Sequence, residues 1–218
     1  MSRGGTACVL ILGLAASGMP AAQPGRRTKG GSFDYYVLAL SWAPAFCAQA
    51  GAAAANQEEC APGHDTGFVV HGLWPQAGAG TNPEFCGKAS RVPKSVINYV
   101  IRYMPSPSLI QHEWAAHGVC TGLTAAEYFG AIIETRAAVQ IPVQFGAIEK
   151  ETRETPGQIE TQFAAANPGF PPGAFRTSCP RGELQEERIC FDKDRKPRAC
   201  TASAGECRGA EVVIRPPL

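Results

Sequence analysis

The sequence predicts an α+β fold: a single domain on a central, mostly antiparallel sheet with several packed helices, stapled by disulfides. Three observations lead there. One strand segment near the start is apolar on both faces. Helical segments then follow one another instead of alternating with strands, and strand-like segments return at the end. The cysteine count becomes even once an N-terminal leader is set aside.

Residues 33–42 carry the strongest strand signal. Tyr36, Leu38, Leu40 and Trp42 fall on one face and Tyr35, Val37 and Ala39 on the other. Apolar character on both faces marks a central strand. Residues 49–59, Ala-rich and polar between Cys47 and Cys60, read as a stapled loop, and residues 68–70 as a short strand running into His71. Residues 94–104 place Val96, Ile97, Val100, Ile101 and Met104 at helical spacing between Pro93 and Pro105, where helix boundaries favour proline. Residues 111–117 predict a short helix stopped by Gly118. Thr124 with Glu127 forms a capping box before Tyr128, Ile132, Ile133 and Val139; Thr155 with Gln158 repeats it, with Pro156 at the first helical position. Residues 187–191 and 212–215 close the chain as strands. There is no internal repeat and no linker long enough to divide two domains.

Residues 1–22 have the layout of a secretory signal peptide: Arg3, an apolar block over residues 7–16, and small residues at Ala21 and Ala22. That block is shorter than the roughly 20 residues a membrane span needs, and no later segment is long and apolar enough. Residues 23–32 read as a loose arm and 33–218 as the folded domain. The expectation is a soluble protein, periplasmic or secreted into the medium. Of nine cysteines, Cys8 leaves with the leader. Cys47, Cys60, Cys86, Cys120, Cys179, Cys190, Cys200 and Cys207 remain, and an even set in an exported chain reads as disulfides, each contributing roughly 2–4 kcal/mol. Zinc ligation is the rival, but no Cys-x-x-Cys pair occurs. Of 20 basic and 19 acidic residues, removal of Arg3 leaves a neutral balance. Bulk electrostatic grip on long nucleic acid is thereby disfavoured, and any nucleic-acid substrate must be recognised locally in a cleft.

Three of the four histidines lie in two clusters, His71-Gly72-Leu73-Trp74-Pro75 and His112-Glu113-Trp114-Ala115-Ala116-His117-Gly118-Val119-Cys120. The second invites comparison with the His-Glu-x-x-His zinc helix, whose histidines are four apart. Here they are five apart, which rotates them about 140° from each other on a helix, so they cannot chelate one zinc. Glu113 and His117 differ by only about 40°. They therefore share a face, a carboxylate–imidazole pair that raises the imidazole pKa and orients the ring. Two imidazoles and a carboxylate without metal suit RNA cleavage. The 2′-hydroxyl must lose a proton, the leaving 5′-oxygen must gain one, and the phosphorane between them needs stabilised charge. DNA, lacking the 2′-hydroxyl, is refused.

These clusters resemble the two signature segments of the ribonuclease T2 family. The likeness extends through residues 33–47, 68–76 and 179–200, and so over roughly residues 33–200. The resemblance implies a metal-independent endoribonuclease without cofactor, commonly best at acid pH. Its products would be 2′,3′-cyclic phosphates, often opened to 3′-phosphates. His117 would be the base and His71 the acid; Glu113 would assist at the phosphate, His112 would bind it, and Trp74 would stack on a base. It also implies Cys86–Cys120 and Cys179–Cys190 as bridges; proximity and elimination then add Cys47–Cys60 and Cys200–Cys207. The mature chain is expected to meet its RNA substrate as a monomer, away from membranes. Two departures stand out. The family usually has Lys before the second-cluster histidine, where this chain has Ala116, and it often supplies an aromatic for the second base site, where this chain has Ser108-Leu109-Ile110-Gln111.

Blander readings stand beside these. Trp74 is open to an ordinary core role, His112 to that of an exposed helix-start residue, and His64 in its turn sequence to none at all. Lys193, Arg195, Lys196 and Arg198 suit a solvated turn or a phosphate-contacting edge. A crippled relative that only binds RNA or protein rests on Ala116 alone. A disulfide-rich carbohydrate-binding protein explains the cysteines but not the histidine clusters.

Overall fold

The computed structural model describes residues 30–51, 60, 67–201, 207 and 210–217. The leader (1–22), most of the arm (23–32), most of the 49–59 loop and His64 lie outside the described residues. Strand β1 (Tyr35–Trp42) passes directly into helix α1 (Ala43–Ala50), with Pro44 in its first turn. Then come β2 (Phe68–Gln76), α2 (Lys94–Val100), α3 (Pro107–Ala116), α4 (Ala125–Ala137), β3 (Thr152–Glu154), α5 (Pro156–Ala166), β4 (Phe175–Ser178), β5 (Glu186–Phe191) and β6 (Val212–Ile214). The main sheet is antiparallel in the order β2-β1-β5-β4, and β3 pairs with β6 in a small second sheet. Among the described residues no helix is long and apolar enough to cross a membrane.

As its two apolar faces predict, β1 is central. Tyr36, Leu38, Leu40 and Trp42 enter the main core with Val70 and Leu73 of β2, Ile189 and Phe191 of β5, Trp114 of α3, Tyr128 and Ile132 of α4, and Phe163 of α5. The opposite face carries a smaller cluster of Tyr35, Val37 and Cys190, with Trp74 and Cys200 against it. Both capping boxes form. Thr124 and Thr155 each accept from the backbone three residues on, and the Glu127 and Gln158 side chains reach back. The strand read at residues 68–70 runs on to Gln76, and the helix read at 94–104 ends at Val100 in a turn. Helix α3 starts four residues before the predicted 111, because Ser106 caps it (accepting from Leu109 N–H at 3.2 Å) and Pro107 opens it.

Cys47–Cys60 and Cys86–Cys120 pair as expected. The other two bridges do not: Cys179 joins Cys207 and Cys190 joins Cys200. Strand register explains the correction. Ser178 lies opposite Glu186, and Cys190 N–H bonds Ala174 O at the far end of the hairpin. Five residues of strand, about 16 Å, therefore separate Cys179 from Cys190, beyond the roughly 7 Å between Cα atoms that a bridge can span. Cys200, whose N–H bonds Gly173 O, is folded back beside Cys190 instead, with 5.2 Å between their Cα atoms.

Candidate active site

The site forms on the sheet face opposite the main core, and a β-bulge builds it. In the β1–β2 register Gly72 pairs with Ala39 and Val70 with Leu40, so His71 is an extra residue without a partner. The bulge breaks the strand's alternation. Val70 and Leu73 both enter the core although they are three apart, and His71 and Gly72 both belong to the open side. Gly72 is required by a close approach. A methyl group there would overlap the Glu113 carboxylate and meet Trp74 Nε1. Gly118 is similarly confined against the rings of Trp114 and Tyr128.

His71 is gripped from two sides. Its Nδ1 lies 2.6 Å from Glu186 Oε1, and its Nε2 lies 3.6 Å from Glu113 Oε1. Arg188 Nε donates to Glu186 Oε2 at 2.8 Å, and the Arg188 guanidinium lies 5.4 Å from the Trp74 ring centre. Trp74 Nε1 donates to Glu113 Oε2 at 2.9 Å. The indole also meets the His71 ring edge-on at 5.1 Å and the His117 ring at 5.6 Å. The structure thus gathers His71, Trp74, Glu113 and His117 into one cluster. His112, exposed, adjoins it: it lines a cavity of about 350 Å³ together with His71, Ser41, Val69, Ser108 and Leu109, and meets the exposed Phe85 ring at 6.3 Å. Ala116 is buried beneath, its carbonyl accepting from Phe85 N–H at 2.7 Å.

The expected Glu113–His117 pair does not form. Helix α3 ends at Ala116, and His117 is its C-cap with φ −119°, so the helical rotation that places both on one face stops one residue short. Glu113 is turned to β2 instead. His117 Nδ1 is buried and has no hydrogen-bond partner among the described residues.

The electrostatics divide accordingly. Burial, then His112 and His71, press His117 down to about 4. Burial also opposes charge on His71, but the hydrogen bond and charge of Glu186, with the charge of Glu113, lift it above the usual histidine range. Burial pushes Glu113 up to about 7, against the pull of His71 and the Trp74 hydrogen bond. Burial works the same way on Glu186, yet His71 and Arg188 hold it below the usual carboxylate value. One imidazole is thus set to be neutral where the other is protonated. Among the described residues no three His, Cys, Asp or Glu side chains gather in a way that could hold a metal ion.

Glu186 and Arg188 went unread in the sequence. Alternation in β5 puts Glu186, Arg188 and Cys190 on one face and Glu187, Ile189 and Phe191 on the other. Two charges on one face of a buried strand were the available signal.

The model of the ribonuclease T2 family matches residues 33–200. A ribonuclease of Aeromonas hydrophila is 31% identical over 158 residues, covering 72% of this chain and 64% of that protein. A probable ribonuclease of Haemophilus influenzae is 36% identical over 171 residues, covering 73% and 58%. The matched part thus falls short of two thirds of either relative. Among solved structures, trichomaglin, described as an S-like ribonuclease, superposes with a TM-score of 0.66 at 24% identity, over 85% of this chain and 98% of that one. That likeness is one of fold.

Proposed function

The chain belongs to the ribonuclease T2 family, and on that footing we propose that it is a metal-independent endoribonuclease for single-stranded RNA. The observation that carries the reading is the gathering of His71, Trp74, Glu113 and His117 in one cluster, with His71 bonded to a carboxylate and His117 Nδ1 without a partner among the described residues. The opposite directions in which these surroundings push the two rings suit an acid and a base. His117, neutral above about 4, takes the proton of the ribose 2′-hydroxyl as that oxygen attacks phosphorus. His71, protonated, gives its proton to the departing 5′-oxygen. A 2′,3′-cyclic phosphate results. Water then opens it to a 3′-phosphate with the two roles exchanged. Glu113, neutral below about 7, is a hydrogen-bond donor to the phosphorane, and exposed His112 binds the phosphate from the rim. The half-buried indole of Trp74 stacks on a base. The cavity beside His71 takes the second base against Leu109 and Val69; its polar lining is Ser41 and the mutually hydrogen-bonded Ser106 and Ser108, hydroxyls without the fixed donor–acceptor pattern of an amide or a carboxylate, which favours low base specificity.

The test is cleavage of single-stranded RNA in EDTA, with products identified, for wild type, His71→Ala and His117→Ala. Full activity in either variant sinks the mechanism, and complete inhibition by chelator sinks metal independence. A second reading, a weakened relative that mainly binds RNA or protein, is favoured by Ala116, which supplies no cation to the phosphorane. Losing such a donor costs about 3–4 kcal/mol. Wild-type turnover separates the two, and Ala116→Lys should raise a weak rate unless its buried position prevents it, which thermal melting reports. Residues 1–22 direct export to periplasm or medium, and the mature chain acts as a monomer; cell fractionation and sedimentation check both.

A further inference from the structure

Glu186 and His71 belong to strands that are not neighbours: β1 runs between β5 and β2. Strands two apart are separated by about 9–10 Å, and both side chains must cross β1 to meet. The residues beneath the crossing are Ala39, opposite Gly72 and Arg188, and Ser41, opposite Val69 and Glu186. Both are small, and the bulge adds the turn that puts His71 on this side. The meeting is close, 2.6 Å from Nδ1 to Oε1, and Glu186 is 7% exposed. Its second oxygen takes Arg188 Nε at 2.8 Å, which fixes the carboxylate plane. A buried carboxylate occupied on one oxygen by a guanidinium and on the other by an imidazole has no rotational freedom to spare.

We propose that Glu186, fixed by Arg188, is the positioning residue of His71: it holds Nδ1–H, so that Nε2 is the nitrogen that delivers the proton to the leaving group. In that step the P–O5′ bond breaks, its electron pair goes to O5′, and O5′ takes the Nε2 proton, leaving His71 neutral with Nδ1–H still bonded to Glu186. The inference rests on the ribonuclease reading above. Other groups also face His71. Glu113 of α3 approaches Nε2, His117 stands beyond the α3 end, and Arg188 brings positive charge from β5. Glu113 is pushed up to about 7 by burial, so at acid pH Glu186 is the carboxylate that remains charged beside His71.

The experiment compares two substrates, a dinucleoside monophosphate, whose alkoxide leaving group needs an acid, and a nucleoside 3′-(4-nitrophenyl phosphate), whose phenolate does not. Glu186→Gln should lower kcat on the first about 10- to 100-fold, with KM changed less than about twofold. It should leave the second within about threefold and move the alkaline limb of the pH profile to lower pH. Arg188→Gln should act in the same direction and less. In a His71→Ala background, Glu186→Gln should cost nothing more on the dinucleotide. Equal losses on both substrates, an unmoved alkaline limb, or a full further loss in the His71→Ala background would each overturn the proposal. Wild type inert on both substrates would refute the ribonuclease reading instead. NMR titration of His71 would then decide the proposal alone, since Glu186→Gln must lower its pKa, and no movement overturns it.

Discussion

The two sides of the cleft present the same side chain in contrary surroundings. On the strand side, His71 projects from a bulge in β2 and has one carboxylate bonded to Nδ1 and another near Nε2. On the helix side, His117 ends α3 with Nδ1 buried and without a partner among the described residues, and imidazoles are its charged neighbours. Burial opposes the imidazolium in both, and at His71 the carboxylates outweigh it. The opposite shifts of the two rings therefore come from what each element brings against them. A strand two removed supplies Glu186 to His71, whereas the early stop of α3 carries His117 away from Glu113.

The comparison is broken most severely by removing either ring. His71→Ala and His117→Ala should each reduce kcat on RNA about 10²–10⁴-fold, measured on dinucleotide cleavage at weakly acid pH. The sharper check is the pH profile. In the proposed mechanism His117 is the base and must be unprotonated, so kcat/KM should rise as pH passes about 4. His71 must be protonated to act as acid, so the rate should fall as pH rises through its own value, which lies above the ordinary 6.5. The result is a bell whose two limbs belong to the two sides of the cleft. An acid limb that shifts in Glu186→Gln while the alkaline limb stays would reverse the assignment.

A smaller effect is expected where the two sides touch. Gly72→Ala drives a methyl group into the Glu113 carboxylate and toward the Trp74 indole. Overpacking of this kind costs about 1–3 kcal/mol, and it displaces a carboxylate to which the proposed mechanism gives a role. We expect a lower thermal midpoint together with a fall in kcat of about tenfold or more. Full activity in a destabilised Gly72→Ala would show that Glu113 does not need its place beneath Trp74.

What the sequence disclosed and what it withheld follow from range. The capping boxes at Thr124 and Thr155 were legible because each is complete within four residues. The central position of β1 was legible because both its faces are apolar. His71, Glu113, His117, His112 and Trp74 sit in two compact motifs, and the structure brings four of them into one cluster with His112 at its edge. The bulge at His71 was not legible, since it exists only in pairing with β1. Glu186 meets His71 across 115 residues of chain, and nothing in β5 alone says which side of the sheet will hold a histidine. The Cys179–Cys190 bridge that the resemblance implied, and the Cys200–Cys207 bridge left by elimination, fail because the hairpin register puts Cys179 and Cys190 at opposite ends. The Glu113–His117 pairing failed on one local detail, a helix one residue shorter than its pattern.

The least conspicuous test concerns the residue beside Glu186. Glu187 points to the other face of β5, is fully buried, and accepts from Thr177 Oγ1 at 2.9 Å on one oxygen, while the other has no partner among the described residues. Burial, reinforced by Glu160, pushes its carboxyl well above the ordinary value. Its neighbour, with Arg188 and His71 to hand, is pushed below it. The sign of the consequence is fixed by linkage. A group whose folded pKa is raised stabilises fully below its unfolded pKa, about 4.3, and loses that contribution as pH rises through the folded value. Glu187→Gln keeps the shape and removes the titration. It should leave stability near pH 4 almost unchanged and raise it by about 1–3 kcal/mol at neutral to alkaline pH, read by denaturant melts at the two pH values. The same substitution should leave the pH profile of RNA cleavage in place, because Glu187 faces the core and not the cleft. Parallel stability curves for the two proteins would mean that Glu187 is already ionised in the fold, and that the two faces of β5 do not differ in the way their neighbouring glutamates imply.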